Sequence, residues 1–191
     1  LVHSHEGRGV QAAWLNRLVR GIPYLITRRV QKGPRATIVN RRMYRSAAAV
    51  VAISEAIRSA LARLDARLPV TVIPSASSAL PVKLGNVERL RASFGGDFVA
   101  GHIGALDDSH KGQLQIIALA RRWQASHPQV RFVLVGSGRD ELRLRQAAAG
   151  LDNVLFTGEV TNVGDYLAAF DLFLYPSRHE GLGSILLDAL E

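Results

Sequence analysis

The chain alternates between short apolar runs and amphipathic stretches of about 10–14 residues. Runs rich in Val, Ile, Leu and Phe predict strands, and spacers with a period near 3.6 predict helices. In the first half we predict strands over 1–4, 22–27, 49–54 and 70–74, and helices over 9–20, 39–47 and 54–64, the last with Ser54 as its N-cap. In the second half we predict strands over 98–104, 130–136, 153–158 and 171–177, and helices over 113–126, 139–149, 163–170 and from about 183.

This order predicts an α/β fold of the GT-B type, with two Rossmann-like, doubly wound parallel-sheet domains. Strands joined through helices form right-handed βαβ units and therefore parallel sheets. The segment 75–86 is rich in Ser, Ala and Pro and has no period, so we predict a linker there. We place the first domain at 1–80 and the second at 81–191. The first starts inside a strand and the last helix is short, so we expect the natural chain to extend beyond both ends and this segment alone to be inactive.

The composition of the chain excludes some functional classes and suggests possible partners. No apolar run approaches the roughly 18–20 residues of a membrane span, and the chain has no cysteine, which predicts a cytoplasmic protein without disulfides or thiolate metal sites. Residues 1–96 contain 16 Lys and Arg against 4 Asp and Glu, whereas residues 97–191 contain 8 against 12. The basic first half is either a solvated face or a surface for an anionic partner, such as the inner face of the cytoplasmic membrane or a phosphorylated acceptor. Few aromatic residues accompany its arginines, so we expect no nucleic-acid partner.

Candidate chemistry follows the predicted strands, because ligands of parallel sheets bind beyond the carboxyl ends of the strands. The turns to inspect begin at Gly104, Gly136, Gly158 and Ser177. Lys111 lies in the first of them, where a cation could close over a diphosphate.

The turn HEGLGS, residues 179–184, opens the last predicted helix. Glycines at a helix N-terminus make an anion seat, which here comprises Gly181, Leu182, Gly183 and Ser184. Glu180 stands at its rim and is suited to sugar hydroxyls. Asp188 shares a helix face with Ser184 and could hold a ribose. A plain strand-to-helix corner is the alternative interpretation of this turn.

Other motifs are weaker. Gly136 and Gly138 form a G-x-G, but Glu141 stands where a dinucleotide-binding loop has its third glycine, so NAD is not supported, and we expect Ser137 or Asp140 to cap the next helix. His3 and His5 share a strand face without an obvious third ligand, so we predict no metal. There is no Asp-x-Asp, Walker loop or G-x-S-x-G elbow.

Taken together, these segments resemble the retaining GT-B glycosyltransferases of the family-4 or "group 1" class. The resemblance covers nearly the whole chain, and it is carried by these segments: VVAISEAIRSAL, VTVIPSA, IGALDDSHKG, FVLVGSGRDELRL, NVLFTGEV and YLAAFDLFLYPSRHEGLGSILLDAL. The opening segments VHSHEGRG and PYLITRR look like the second part of the family's acceptor domain, which places His5 and Arg29 on the acceptor side.

The resemblance implies transfer from a nucleoside-diphosphate sugar to a glycan or lipid-linked acceptor, for example in lipopolysaccharide biosynthesis, with retention and without a metal or other cofactor. Glu180 would lie near the donor sugar and Lys111 would neutralise the diphosphate. The donor-binding set would comprise Gly181, Leu182, Gly183, Ser184, Asp188, Gly104, Gly136 and Val160, the last near the base.

The sequence departs from the family pattern at four places. The second acid is Asp188, one methylene shorter than usual, and Ala105 replaces a frequent arginine. Arg29 stands where many members have a histidine, and Ser75-Ala76 replaces Asn-Gly. The alternatives are an anion- or nucleic-acid-binding module without catalysis and a dinucleotide-dependent oxidoreductase.

Overall fold

A computed structural model describes residues 1–5, 7–178 and 183–191. The chain forms two compact units. The first contains residues 1–76, and the second contains residues 77–178 and 184–191. Each unit has its own parallel sheet with helices as the connections, which confirms the predicted α/β class.

The first unit has four parallel strands in the order β1-β2-β3-β4. The strands are β1 Val2–Ser4, β2 Tyr24–Arg28, β3 Ala49–Ala52 and β4 Val70–Val72, and the helices are α1 Gly7–Arg20, α2 Ile38–Arg45 and α3 Glu55–Ala62. Local capping signals agree with the observed helix starts, because Thr37 accepts a hydrogen bond from Asn40 N and Ser54 accepts one from Ile57 N. Tyr24, which is fully buried, donates its hydroxyl proton to the Met43 carbonyl at the core, and burial raises its pKa.

The second unit also has four parallel strands, in the order β7-β6-β5-β8. The strands are β5 Phe98–Ile103, β6 Val130–Val135, β7 Val154–Gly158 and β8 Leu172–Phe173. The helices are α4 Leu84–Phe94, α5 Asp108–Lys111, α6 Gln113–Trp123, α7 Glu141–Ala147, α8 Val163–Ala168 and α9 Ser184–Leu190. One apolar cluster contains Ile116, Phe132 and Leu144, and another contains Phe94, Val133 and Ala169. The sheet therefore has apolar partners on both faces, which explains why its strands are mostly apolar.

The structure differs most from the sequence prediction at helix α4 and at strand β8. Helix α4 begins at Leu84, inside the predicted linker, and was not predicted at all. Its first residues have no side-chain cap of their own. Instead the carboxylate of Asp165, which is distant in sequence, accepts a hydrogen bond from Lys83 N at 2.7 Å. The start of α4 is thus fixed by a tertiary contact that leaves no local signal.

Strand β8 is much shorter than predicted. It pairs with β5 only through Leu172 and Phe173, and residues 174–178 have no regular structure. Its backbone still follows β5, because Leu174 N donates to Gly101 O at 2.7 Å. None of the helices in the described part of the chain combines the length and the hydrophobicity that a membrane span requires.

Candidate functional site

The carboxyl ends of β5, β6 and β7 meet around two glycines. Gly104 follows β5 and donates its amide proton to Val135 O at 3.0 Å, while Gly136 follows β6 and donates to Gly158 O at 2.8 Å. A Cβ on Gly136 would lie 2.2 Å from Gly104 O, and its φ of +129° disfavours any side chain. The two loops therefore touch backbone to backbone, as only glycine allows.

Two further backbone hydrogen bonds, both at Leu106, connect the same two loops. Leu106 N donates to Ser137 O and Asp140 N donates to Leu106 O, both at 2.9 Å. A Cβ on Gly138 would lie 2.5 Å from Leu106 O. The G-x-G at Gly136 and Gly138 thus serves close contact with the neighbouring loop. Asp140 occupies the N-cap position of α7, but its side chain makes no capping hydrogen bond to that helix. It accepts from Asp108 N instead, and Ser137, the other candidate, donates to Glu159. The prediction that one of these side chains caps the helix by a hydrogen bond is therefore wrong.

A charged cluster lies on the loop after β5. Asp107 accepts hydrogen bonds from Ser109 Oγ and from the guanidinium of Arg139, both at 2.7 Å, and its other oxygen is 3.1 Å from His110 Nδ1. The hydrogen bond from Ser109 is the main reason that the pKa of Asp107 falls to about 2, and Arg139 and His110 lower it further against the opposing effect of burial. These bonds hold the loop in one conformation.

Lys111 lies beside the glycine contact. It is the last residue of α5, and its aliphatic stem passes Gly104, where a Cβ would lie 3.6 Å from Lys111 Cε. Its Nζ is 5.6 Å from the centre of the Tyr175 ring. The next residue, Gly112, has a φ of +73°, and a Cβ there would lie 2.6 Å from Pro176 O. The structure thus places a cation at the carboxyl edge of the sheet, next to glycine backbone.

A buried polar network lies beneath this loop. His102 Nδ1 is 3.0 Å from Leu174 O, and its Nε2 is 3.3 Å from the amide nitrogen of Gln113, which also donates to Ala105 O at 2.8 Å. His102 and Gln113 are both fully buried. Burial lowers the pKa of His102 most, and the charge of Lys111 lowers it further, while the bond to Leu174 O opposes this. His102 is therefore a neutral imidazole at pH 7.

The predicted ribose partner Asp188 is already engaged by backbone. Its Oδ1 accepts a hydrogen bond from Ser78 N at 2.5 Å. It borders a cavity of about 520 Å³ in the second unit, together with Ala79, Leu80, Val82, Gly164, Leu167, Ala168, Ala189 and Glu191. One carboxylate oxygen thus holds the segment before α4, and a ribose would share the remaining acceptor sites of the carboxylate.

The structure describes some of the remaining predicted donor-binding residues and not others. Val160 is half-buried against the apolar cluster that includes Val133 and Val135. Ser184 begins α9 and is exposed, and Gly183 precedes it. Glu180, Gly181 and Leu182 lie outside the described residues, so their roles stay predictions.

The predicted acceptor-side residues belong to the first unit. His5 follows β1 and Arg29 follows β2, and since these strands are parallel neighbours both residues lie at one edge of the sheet. His5 packs on His3 with ring centres 4.0 Å apart, and His3 Nε2 is 2.8 Å from Thr27 Oγ1. Both His5 and Arg29 are exposed.

The basic cluster of the first unit is partly structural. Arg41 donates to Leu64 O at 2.9 Å, and Arg45 pairs with Asp65 at 2.5 Å, a contact that lowers the pKa of Asp65. Arg42 is exposed. Not every arginine of this cluster is therefore available to a partner.

Sequence reasoning missed His102 and Gln113. A signal was present for His102, since a histidine interrupts the otherwise apolar run FVAGHIG. Gln113 gave none, because a glutamine at the start of an amphipathic helix is ordinarily solvated.

Comparison with known proteins follows the same division of the chain. Residues 97–191 match the family model described as Glycosyl transferases group 1, and residues 1–76 match the model described as Glycosyl transferase 4-like domain. Only residues 77–96 fall outside the two models.

Two curated relatives come from Streptomyces. The chain is 36% identical over 135 residues to 2-deoxystreptamine N-acetyl-D-glucosaminyltransferase of Streptomyces fradiae, which covers 65% of this chain and 32% of that protein. It is 31% identical over 173 residues to 2-deoxystreptamine glucosyltransferase of Streptomyces kanamyceticus, which covers 82% of this chain and 44% of that protein. The chain therefore spans less than half the length of these relatives.

The fold is that of a solved structure, Anabaena Alr3699/HepE in complex with UDP and glucose. The TM-score is 0.80 and the sequence identity 22%, and the match covers 98% of this chain and 56% of that chain.

Proposed function

Since the chain belongs to the group 1 glycosyltransferases and has the GT-B fold, as its motifs predicted, we propose that its protein transfers a sugar from a nucleoside-diphosphate sugar to an acceptor. The second unit would bind the donor. The observation that carries this proposal is the position of Lys111 next to the Gly104–Gly136 contact, at the carboxyl edge of β5 and β6. The solved neighbour with this fold holds UDP and glucose, which supports a nucleotide sugar as donor.

The chemistry proposed for this corner is electrostatic. When the glycosidic bond to the diphosphate breaks, negative charge grows on the leaving oxygen, and a fixed cation lowers the barrier by stabilising that charge. Lys111 would supply the cation, and the side-chain-free backbone at Gly104 and Gly136 would let the phosphates approach. Because a side chain supplies this charge, we propose that the transfer needs no metal or other cofactor.

We also propose retention at the anomeric carbon. In the part of this corner that the structure describes, Asp107 is engaged by Ser109 and Arg139, so it does not suggest itself as a nucleophile. A front-face route, in which the leaving phosphate helps to deprotonate the acceptor, therefore fits better than two carboxylates. Comparing the anomeric configuration of donor and product by NMR tests this, and inversion would contradict it.

The donor site is tested by thermal-shift measurements with UDP-, GDP- and ADP-sugars. We expect one of them to raise the melting temperature of the wild type, and Lys111→Ala or Glu180→Ala to remove most of that rise. Lys83→Ala is the matched control, because Lys83 is exposed and its hydrogen bond to Asp165 comes from its backbone, which alanine keeps. No stabilisation by any donor, or an unchanged response of Lys111→Ala, would refute the assignment.

The acceptor side is proposed from charge. The basic first unit, with His5 and Arg29 at one sheet edge, suits a glycan or lipid-linked acceptor with phosphate groups, such as a lipopolysaccharide intermediate at the cytoplasmic face of a membrane. Arg42→Glu is the sharpest test, because Arg41 is tied to Leu64 O whereas Arg42 is exposed. We expect weaker sedimentation with anionic vesicles, and unchanged sedimentation would remove the membrane from the proposal.

A further inference from the structure

We propose that His102 and Gln113 are positioning residues that hold the loop 104–112 in the geometry needed to bind the donor diphosphate. The inference rests on the proposed function, since it assumes that this loop binds the donor. Neither residue reaches the surface, so both would act through the backbone of Ala105 and Gly104 and through the stem of Lys111.

The hydrogen-bond directions in this network follow from the groups present. A carbonyl only accepts, so His102 Nδ1 must carry the proton that it shares with Leu174 O, and Nε2 is then an acceptor. The amide of Gln113 has two protons, and it donates one to His102 Nε2 and the other to Ala105 O. Each of these three contacts thus has one donor and one acceptor, and the tautomer of His102 is fixed by its surroundings.

The network connects four separate segments of the second unit. His102 lies in β5, Ala105 lies in the loop, Gln113 begins α6, and Leu174 follows β8. The Ala105 carbonyl accepts from Gln113 and also from Asp107 N, both at 2.8 Å. A buried side chain therefore helps to set the orientation of the peptide after Ala105.

The network also touches the proposed phosphate-binding groups directly. A Cβ at Gly104 would lie 3.6 Å from His102 Nε2 and 3.6 Å from Lys111 Cε. Gly104 is thus packed between the imidazole and the lysine stem. A change in the imidazole or in the amide that holds Ala105 would shift Gly104, and the lysine with it. Displacements of about 1 Å at a positioned group are enough to lower activity strongly.

The chain contains a matched control for this network. Asn153 is also buried, its amide nitrogen donates to Ala120 O at 2.9 Å, and it precedes β7 at the opposite edge of the sheet. Gln113→Leu and Asn153→Leu therefore remove the same kind of buried amide-to-carbonyl bond. We expect both variants to melt at a lower temperature, whereas only Gln113→Leu should bind UDP, GDP or ADP more weakly.

The test is calorimetric titration of the full-length protein and its variants with these three diphosphates, followed by kinetics with the matching sugar. We expect Gln113→Leu to raise Kd and the donor KM on the order of tenfold, with a smaller change in kcat. His102→Asn gives a second variant, because its amide can still donate to Leu174 O but has nothing at the position of Nε2. It should lose the same affinity, and the double variant should lose little more than either single one.

The outcomes separate the two proposals. If the wild type binds none of the diphosphates, the proposed function fails, and this inference fails with it. If the wild type binds one of them and both Gln113→Leu and His102→Asn bind it equally well, the positioning role is refuted while the donor site stands. Equal loss of binding in Asn153→Leu would also refute it, because the effect would then reflect general destabilisation.

Discussion

Replacing Gly136 by alanine should separate the two loops that form the candidate donor site. The new Cβ would lie 2.2 Å from Gly104 O, against an ordinary contact of 3.4 Å or more, so the backbones must move apart by roughly 1 Å. The hydrogen bonds Gly104 N to Val135 O and Gly136 N to Gly158 O would weaken, at about 0.5–1.5 kcal/mol each. The unfavourable φ adds about 1–2 kcal/mol, so we expect a loss of about 2–5 kcal/mol.

Gly150→Ala isolates the effect of contact from that of conformation. Gly150 also has a positive φ, +76°, but a Cβ there would meet nothing within 4 Å. Its loss should be only about 1–2 kcal/mol. Urea unfolding monitored by circular dichroism measures the free energy of unfolding of the two variants. Titration with the nucleoside diphosphate that binds the wild type measures the affinity of the candidate site.

We expect Gly136→Ala to lose most of its affinity for that diphosphate and Gly150→Ala to keep it. If the two variants were equally stable and bound the nucleotide equally well, the backbone contact between the loops would not have the role assigned to it.

Three further predictions concern the second unit. Ser109 and the other partners lower the pKa of Asp107 to about 2. Its ionised form should therefore stabilise the fold above about pH 4, and this stabilisation should disappear as the pH falls towards 2. In urea unfolding, Asp107→Asn should not show this loss of stability at low pH. Gly101→Ala should destabilise the unit by about 1–3 kcal/mol, because a Cβ would lie 2.1 Å from the Phe170 ring, and a Tm equal to that of the wild type would contradict this. The pKa of His102 is lowered, so the stability of the unit should decrease as the pH falls below about 6.5. NMR should show a neutral imidazole with the proton on Nδ1. An imidazolium at pH 6.5 would contradict the hydrogen-bond network.

The parallel strands could be predicted because their signal is local. A strand such as Val130–Val135 is buried on both faces from Phe132 onward, so that part must be apolar, and a single sequence shows this directly. Helix α4 could not be predicted, since the hydrogen bond that fixes its start comes from Asp165. The length of β8 depends on how far β5 accompanies it, which its own apolar run does not reveal.

The position of Lys111 in the candidate site could be predicted, because it depends on the side chain of one residue, while its role stays a prediction. Lys111 stands out as a cation after a strand, and the structure places it at the carboxyl edge. The need for glycine at positions 136 and 138 could not be predicted from the sequence. The space for a Cβ there is occupied by the backbone of Gly104 and Leu106, which belong to another loop. The role of Gln113 depends in the same way on a carbonyl and an imidazole outside its helix.

These contacts also bear on Ala105, which stands where the family resemblance leads us to expect an arginine. The loop is held by the glycine contact, by the backbone bonds of Leu106 and by the amide of Gln113 on the Ala105 carbonyl. None of these contacts uses the side chain at position 105, which is exposed. We therefore expect a change from arginine to alanine there to remove a charge and to leave the geometry of the loop intact. Variation at this position should adjust how strongly the loop attracts an anion, whereas variation at Gly136 or Gln113 should change whether the loop keeps its shape.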